Sequence, residues 1–179
     1  MPFRGVFTIP VTPFDDQGAI DFNGLASCVE FCVESQAHGV VLPVNASEYF
    51  TLSDAERLQV IKCGIDTVAG AVPVVAGVSG ASPQHALDLA CRARDLGADA
   101  LIALPPTSRQ ASQAQIEEHF RTLGEGVDLP VFIQDHDPPA RSAYMRVPAR
   151  RAFDRYDLQE LDEVLAGMSD LMTWKRGGR

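Results

Sequence analysis

The feature of this sequence that most restricts its fold is a set of five short apolar runs that alternate with helical segments. The runs cover residues 5–12, 39–44, 72–78, 100–104 and 130–134. Each run is apolar at successive positions rather than at alternate ones, so both faces of the strand are expected to be buried. Such strands, each followed by a helix, are typical of a parallel sheet with right-handed crossovers. The pattern therefore predicts an α/β protein built from βα units.

The segments between the runs carry the start and stop signals of helices. Ser53 and Glu56 have the spacing of a capping box, and Ser112 and Gln115 repeat it. Pro83 falls at a first helical position, where the missing N–H is not needed. Glycines at the predicted helix ends are expected to adopt left-handed C-caps: Gly39, Gly70 and Gly97.

Charge divides the chain into two parts. Residues 1–139 carry a net charge of −11 and residues 140–179 a net charge of +2, which together give the −9 of the whole chain. We expect 1–139 to hold the βα units and 140–179 to be an atypical basic segment with one amphipathic helix. The apolar positions of that helix are Leu158, Leu161, Val164 and Leu165. The arginines at 141–155 lack the aromatic platform of a nucleic-acid site, so they indicate a solvated face.

Composition excludes several classes of function. The acidic balance disfavours nucleic acid and anionic membrane surfaces as partners, and no apolar run approaches the ~20 residues of a membrane span. The amino terminus lacks the features of a signal peptide. The histidines have no metal-ligand spacing, and there is neither a P-loop nor a dinucleotide fingerprint. We therefore expect a cytoplasmic protein. The cysteines form no CxxC pair and are expected to be reduced, buried thiols: Cys28, Cys32, Cys63 and Cys91.

Six segments taken in order resemble a known family. They are 5–14 (Gly-Val-Phe-Thr-Ile-Pro-Val-Thr-Pro-Phe), 48–57, 72–78, 97–106, 112–120 and 128–131. Together they resemble the dihydrodipicolinate synthase / N-acetylneuraminate lyase family over about residues 3–139. The resemblance implies a (β/α)8 TIM barrel and class I aldolase chemistry, without a metal or organic cofactor. A 2-oxo acid such as pyruvate would form a Schiff base with a lysine at the end of the sixth strand, and a C–C bond would then form or break.

The family's carboxylate-binding stretch, Gly-Thr-Thr-Gly-Glu, aligns with residues 44–48 of this chain. Both threonine hydroxyls are lost, because Asn45 and Ala46 stand at those positions. By resemblance, Asn45, Ala46 and Ser47 are the candidate substrate-binding residues, with donors from the two polar side chains and the loop amides. Alternatively, Asn45 and Ser47 only satisfy the backbone of a turn.

Two further family positions are altered. The proton-transferring tyrosine of the fifth strand aligns with Gln134, which cannot transfer a proton, so Asp135 or His136 would have to substitute. After the fourth strand, where the family has a tyrosine motif, this chain reads Pro106-Thr107-Ser108-Arg109. Arg109 is the candidate for binding a substrate carboxylate through its planar guanidinium group. The other interpretation of Asp135, His136 and Arg109 is polar surface.

The chain has two lysines, Lys62 and Lys175. Lys62 is predicted on the outer layer of the second helix, where it cannot reach a barrel mouth. Lys175 ends the run 171–175, which follows a helix and is a candidate sixth strand. Lys175 is therefore the candidate Schiff-base residue. Desolvation inside a barrel lowers the pKa of a lysine, so that its side chain becomes a neutral, nucleophilic amine. The alternative is an exposed lysine near the terminus.

The length of the sequence also departs from the family, because a closed eightfold barrel needs at least ~200 residues and this sequence has 179. We expect five or six of the eight βα units. Three outcomes stay open: a chain that is truncated or aberrant after about residue 138, a barrel completed by a second copy or another chain, and a plug formed by 140–179. Open sheet edges favour a homo-oligomer. The candidate functions are a lyase and a non-catalytic binding scaffold.

Overall fold

The computed structural model describes residues 3–106 and 111–134. All five apolar runs contain strands, which confirms the predicted βα repeat. The strands are β1 (Phe7–Thr8), β2 (Gly39–Leu42), β3 (Val74–Gly77), β4 (Ala100–Ala103) and β5 (Val131–Ile133). The helices are α1 (Phe22–Glu34), α2 (Asp54–Val68), α3 (Pro83–Leu96) and α4 (Gln113–Gly126).

The five strands form one sheet in the order β1-β2-β3-β4-β5, and every neighbouring pair is parallel. Each strand therefore pairs with the next strand in the chain, and one helix crosses over between them. This sequential order is the arrangement expected of a barrel. A doubly wound sheet would instead reverse its order at a switch point.

Three phenylalanine rings show that the sheet is strongly curved. The ring centroid of Phe3 lies 6.0 Å from that of Phe7 on β1 and 5.4 Å from that of Phe132 on β5. In a flat sheet the first and fifth strands would be roughly 19 Å apart, at about 4.8 Å per strand. One ring can touch both strands only if the sheet bends around it, so these βα units form an incomplete (β/α)8 barrel.

Alternate side chains on each strand face different layers, as the pleat of a strand requires. On β2, Val40 and Leu42 pack in the cluster with α1 and α2, whereas Val41 faces the interior beside the phenylalanine rings. On β4, Leu101 packs toward α3 and α4, and Ile102 faces the interior. Both faces are buried, which explains why the runs are continuously apolar.

The predicted helix starts are confirmed and one predicted helix end is wrong. Ser53 and Ser112 both close capping boxes, and Pro83 opens α3. Gly97 is the left-handed C-cap of α3. Gly39, however, is the first residue of β2 rather than a helix cap, and its missing side chain makes room for the ring of Phe7.

The other two helix ends also differ in detail. Helix α1 ends at Glu34 with Ser35 as its C-cap, and Gln36 follows at a positive φ. Ala69 is the left-handed cap of α2, and Gly70 at φ +79° directly follows it. The predicted left-handed conformation of Gly70 is therefore confirmed, although the cap itself lies one residue earlier.

Within the described ranges, no helix is both long and apolar enough to cross a membrane. All four cysteines are free thiols; Cys32 is buried and the other three are half-buried. The predicted helix around residues 158–165, the candidate sixth strand at 171–175 and the boundary at 139/140 lie outside the described residues.

Candidate active site at the carboxyl ends of the strands

Buried polar side chains are concentrated at the carboxyl ends of the strands. Among the residues that the structure describes, four of them lie in the segments that follow β1, β2, β3 and β5: Thr12, Ser47, Ser79 and Gln134. A fifth, Arg57 on α2, reaches the end of β3. Burial of polar groups costs free energy unless they are hydrogen-bonded. In barrels of this kind the chemistry lies at this end of the sheet.

Two hydroxyl groups fix the loop that follows β2. Residues Asn45–Ser47 form one turn of 3-10 helix, and Glu48 ends it in the left-handed conformation at φ 58°. The Ser47 hydroxyl donates to the Pro10 carbonyl over 2.9 Å, and the Thr12 hydroxyl donates to the Ser47 carbonyl over 2.9 Å. Because both bonds are buried, they join the β2 loop firmly to the segment after β1.

The turn brings together three of the four predicted substrate-binding residues, in different environments. Asn45 is half-buried, Ala46 is exposed, and Ser47 is 1 % exposed. The single hydroxyl proton of Ser47 is used by Pro10, so a contact with substrate would require that bond to break. The substrate-binding roles of all three residues stay predictions.

The end of β3 packs closely against the β2 loop. A side chain on Gly77 would overlap the carbonyl oxygen of Pro43, so only glycine fits there. Pairing with β4 continues past the strand end, since the Val78 amide donates to the Ile102 carbonyl over 2.9 Å. Ser79 follows and is 6 % exposed, and its hydroxyl oxygen accepts a hydrogen bond from the Leu104 amide over 2.9 Å.

A buried guanidinium lies behind this edge of the sheet. Arg57 is 4 % exposed; its Nη2 donates to the Gly77 carbonyl over 3.2 Å, and its Nη1 lies 3.6 Å from Asp54 Oδ1. The guanidinium carbon is 5.1 Å from the ring centroid of Tyr49. Burial lowers the pKa of Arg57, while the nearby Asp54 carboxylate raises it. The network joins the loops that follow β2 and β3.

The Asp54 carboxylate also contacts His85, whose tautomer follows from its hydrogen bonds. His85 Nδ1 accepts from the Ala81 amide over 3.2 Å, so the ring proton of neutral His85 is on Nε2. That nitrogen lies 2.8 Å from Asp54 Oδ2 and donates to it. His85 and Asp54 are in the first turns of α3 and α2, so this contact links two adjacent helix starts.

Gln134 stands at the interior of the carboxyl end of β5. The main-chain N–H of Gln134 donates to the Ala103 carbonyl over 2.9 Å, and the residue is 8 % exposed. It follows Phe132 by two residues, so the alternation of the strand puts both side chains on the interior face. This position agrees with the predicted site, but a catalytic role for Gln134 stays a prediction.

Of the remaining residues considered for the site, the structure describes Lys62 but not the other four. Lys62 is exposed on α2 and its Nζ lies 2.6 Å from Asp66, which confirms that it belongs to the outer layer. The other predicted site residues lie outside the described residues: Arg109, Asp135, His136 and Lys175. Within residues 3–106 and 111–134 there is no group of three or more His, Cys, Asp or Glu residues that could hold a metal ion.

Sequence reasoning missed two residues of this edge, Thr12 and Arg57. Thr12 lies in the segment that follows β1, and this position was the only signal available. Small hydroxyl residues are common in turns, so their burial becomes visible only when the neighbouring strand ends are in place. Arg57 follows the capping box and resembles an ordinary surface residue of a helix.

Comparisons with known proteins agree with this architecture. A sequence profile described as the Dihydrodipicolinate synthetase family matches residues 2–144. The chain is 35% identical over 150 residues to the 4-hydroxy-tetrahydrodipicolinate synthase of Desulfotalea psychrophila, covering 84% of this chain and 50% of that protein. It is 33% identical over 146 residues to the same enzyme of Caldicellulosiruptor bescii, covering 82% and 49%. The chain thus spans about half the length of the curated relatives it matches.

A solved structure shows the same fold. The chloride-inhibited dihydrodipicolinate synthase of Acinetobacter baumannii, complexed with pyruvate, superposes with a TM-score of 0.72 at 30% identity. The superposition covers 75% of this chain and 46% of that one. The match supports the assignment of the curved sheet as part of a barrel.

Proposed function

Because this chain belongs to the dihydrodipicolinate synthetase family, we propose that it acts on a 2-oxo acid of the pyruvate class as a lyase or aldolase. The single observation that carries the proposal is the set of buried polar side chains at the carboxyl ends of the strands. They lie where a barrel holds its substrate. The similar enzyme of Acinetobacter baumannii was solved with pyruvate.

The proposed chemistry is covalent catalysis by a lysine amine, for which Lys175 is the candidate. The neutral amine adds to the C2 carbonyl of the 2-oxo acid, and loss of water gives an iminium ion. The iminium accepts electron density from C3, so a proton can leave C3 and the resulting enamine can attack an aldehyde. The reverse sequence cleaves the same C–C bond. No external oxidant or reductant is needed.

The residues of the β2 turn are the proposed carboxylate site. Asn45 and Ala46 stand where the family has two threonines, so donors must come from the Asn45 amide group and from main-chain N–H groups. Gln134 can orient a substrate oxygen by hydrogen bonding but cannot transfer a proton. Asp135 is the proposed proton-transfer group, and Arg109 is a second proposed partner for a carboxylate.

The proposal is tested by trapping. The full chain is incubated with pyruvate and sodium borohydride, which reduces the iminium ion to a stable secondary amine, and the intact mass is measured. We expect an adduct in the wild type and in Lys62→Arg, whose altered side chain is on the exposed face of α2. We expect none in Lys175→Ala. An adduct that persists in Lys175→Ala would reassign the amine, and no adduct in the wild type would overturn the Schiff-base chemistry.

A second candidate function is a binding scaffold without catalysis. The observation that favours it is the loss of reactive groups at the site: Gln134 carries no transferable proton, and the Ser47 hydroxyl is bonded to Pro10. A scaffold would bind the 2-oxo acid reversibly and form no adduct. Equilibrium dialysis with labelled pyruvate, run beside the trapping experiment, separates the two functions.

We also propose self-association in a reducing compartment such as the cytoplasm. Over the described residues, β1 and β5 each pair on one side only, and Val6, Val11 and Phe31 beside β1 are more than half exposed. An open strand edge next to apolar side chains favours pairing with another chain. Sedimentation velocity at several concentrations tests this, because a monomer at every concentration would contradict it.

A further inference from the structure

The buried hydroxyl groups at the carboxyl ends of the strands are not equivalent. Thr12 and Ser47 each donate their only hydroxyl proton to a main-chain carbonyl. Ser79 instead uses its hydroxyl oxygen as an acceptor, for the Leu104 amide. Since that oxygen is engaged as an acceptor, the Ser79 hydroxyl proton points in another direction and can be donated to a further group. A bound ligand with an acceptor oxygen can receive it, and such a bond contributes more when it is buried.

The position of Ser79 directs that donor toward the interior of the site. Val75 faces the interior beside Phe7, and the extended pairing of Val78 with β4 continues the alternation, so Ser79 follows on the interior side. At Gly77, the intervening interior position, the Pro43 carbonyl takes the space that a side chain would fill. Ser79 is 6 % exposed, so it is largely shielded from bulk water.

We propose that Ser79 contacts the substrate and donates its hydroxyl to a carboxylate oxygen of the bound 2-oxo acid. This assignment rests on the proposed function and extends it to a residue outside the β2 turn. A carboxylate is an acceptor-only group that needs several donors, and the turn supplies fewer because Asn45 and Ala46 replace two hydroxyl residues. A hydrogen bond to an ionised acceptor is about twice as strong as a neutral one. Ser79 thus determines selectivity for anionic over neutral carbonyl compounds.

The test measures binding of pyruvate and of its neutral ester, methyl pyruvate, to the full chain. We expect Ser79→Ala to weaken pyruvate binding about tenfold in equilibrium dialysis and to change methyl pyruvate binding less than about twofold, since the ester has no charge. Ser79→Thr keeps a hydroxyl group and should restore most of the pyruvate affinity. A merely structural role would weaken both ligands equally, because the distorted loop would affect each of them.

Ser82→Ala is the matched control in the same loop. The Ser82 hydroxyl accepts from the His85 amide over 3.2 Å and caps α3, so its loss destabilises the helix start and leaves pyruvate affinity unchanged. Thermal unfolding of all three variants shows that each one is folded in the binding experiment. If Ser82→Ala weakens pyruvate binding as much as Ser79→Ala does, the assignment is wrong.

The outcomes also separate this assignment from the Schiff-base proposal. Pyruvate binding that weakens selectively in Ser79→Ala supports the assignment even if borohydride traps no adduct, and only the covalent step then fails. Equal pyruvate affinity of Ser79→Ala and the wild type overturns the assignment even if an adduct forms. A wild type that binds no pyruvate at all overturns both.

Discussion

The two ends of the curved sheet have opposite interiors. At the amino-terminal end, the rings of Phe3, Phe7 and Phe132 fill the space between the first and last strands. At the carboxyl end, the same interior face carries Ser79 and Gln134, which are buried although they are polar. Ring packing at one end supplies stability and curvature, and the other end holds polar groups that the fold does not need for burial of apolar area. Substitutions at the two ends should therefore affect different properties.

The largest stability effect is expected from the amino-terminal end. Phe132→Ala should lower the free energy of unfolding by about 3–4 kcal/mol, because it removes a buried ring and leaves a cavity. Urea unfolding measures the change. Phe50→Ala is the control, since Phe50 is 67% exposed and its loss should cost less than about 0.5 kcal/mol. Equal effects of the two variants would contradict the view that the interior rings hold the curved sheet.

A buried histidine gives the next effect, and it depends on pH. His119 on α4 is fully buried, neither ring nitrogen has a hydrogen-bond partner in the part of the chain that the structure describes, and burial lowers its pKa to about 4. The unfolded chain binds a proton near pH 6.5, so stability is full above that pH and is lost as the pH falls toward 4, by up to about 3 kcal/mol.

The control for the pH effect is His119→Leu, which removes the titrating group and keeps an apolar side chain beside Phe120. Chemical denaturation between pH 4 and pH 7.5 should show a smaller loss of stability in this variant than in the wild type. An identical pH dependence of the two proteins would show that other groups cause the loss. Since His119 lies on a helix away from the carboxyl edge, pyruvate affinity at pH 7.5 should not change.

Removal of the buried guanidinium should have an intermediate effect. Arg57→Met keeps the aliphatic stem but loses the hydrogen bond to Gly77 and the ion pair with Asp54, which keeps its contact with His85. We therefore expect the free energy of unfolding in urea to fall by about 2 kcal/mol. Arg92→Met is the matched variant, because the Arg92–Asp88 pair is exposed and should contribute under about 0.5 kcal/mol. A cost no larger than that of Arg92→Met would mean that the buried network adds little.

The smallest effect is expected from the hydroxyls that fix the β2 loop. Ser47→Ala and Thr12→Val should each cost about 1 kcal/mol, and the double variant should cost less than the sum because both bonds hold the same loop. Thr51→Ala is the control, since the Thr51 hydroxyl donates to the carbonyl of nearby Glu48 on an exposed turn. Strict additivity in the thermodynamic cycle would show that the two bonds act independently.

The sequence predicted the elements well because their signals are local. Continuous apolar runs, the capping boxes at Ser53 and Ser112, and Pro83 each depend on neighbours within a few residues. Gly39 was misassigned because a glycine before a strand resembles a glycine after a helix. Its actual reason is the ring of Phe7, which lies far away in the sequence.

The site was predictable only in part, because its geometry is not local. The β2 turn and Gln134 were found through the family resemblance. No pattern revealed that Thr12 and Ser47 would bond across two strand ends, or that Ser79 would accept from Leu104. Such contacts depend on how far the sheet curves, and the curvature follows from interior packing of residues as distant in the chain as Phe3 and Phe132.

The measurement that most directly tests the difference between the two ends is an amide NMR titration of the full chain with pyruvate. Chemical shifts should change at the carboxyl end, at the amides of Asn45, Ala46, Ser79 and Gln134. The amides of Phe7 and Phe132 should stay unchanged. Shifts confined to the amino-terminal end, or no change at any amide at saturating pyruvate, would contradict the assignment of the carboxyl end as the site for a 2-oxo acid.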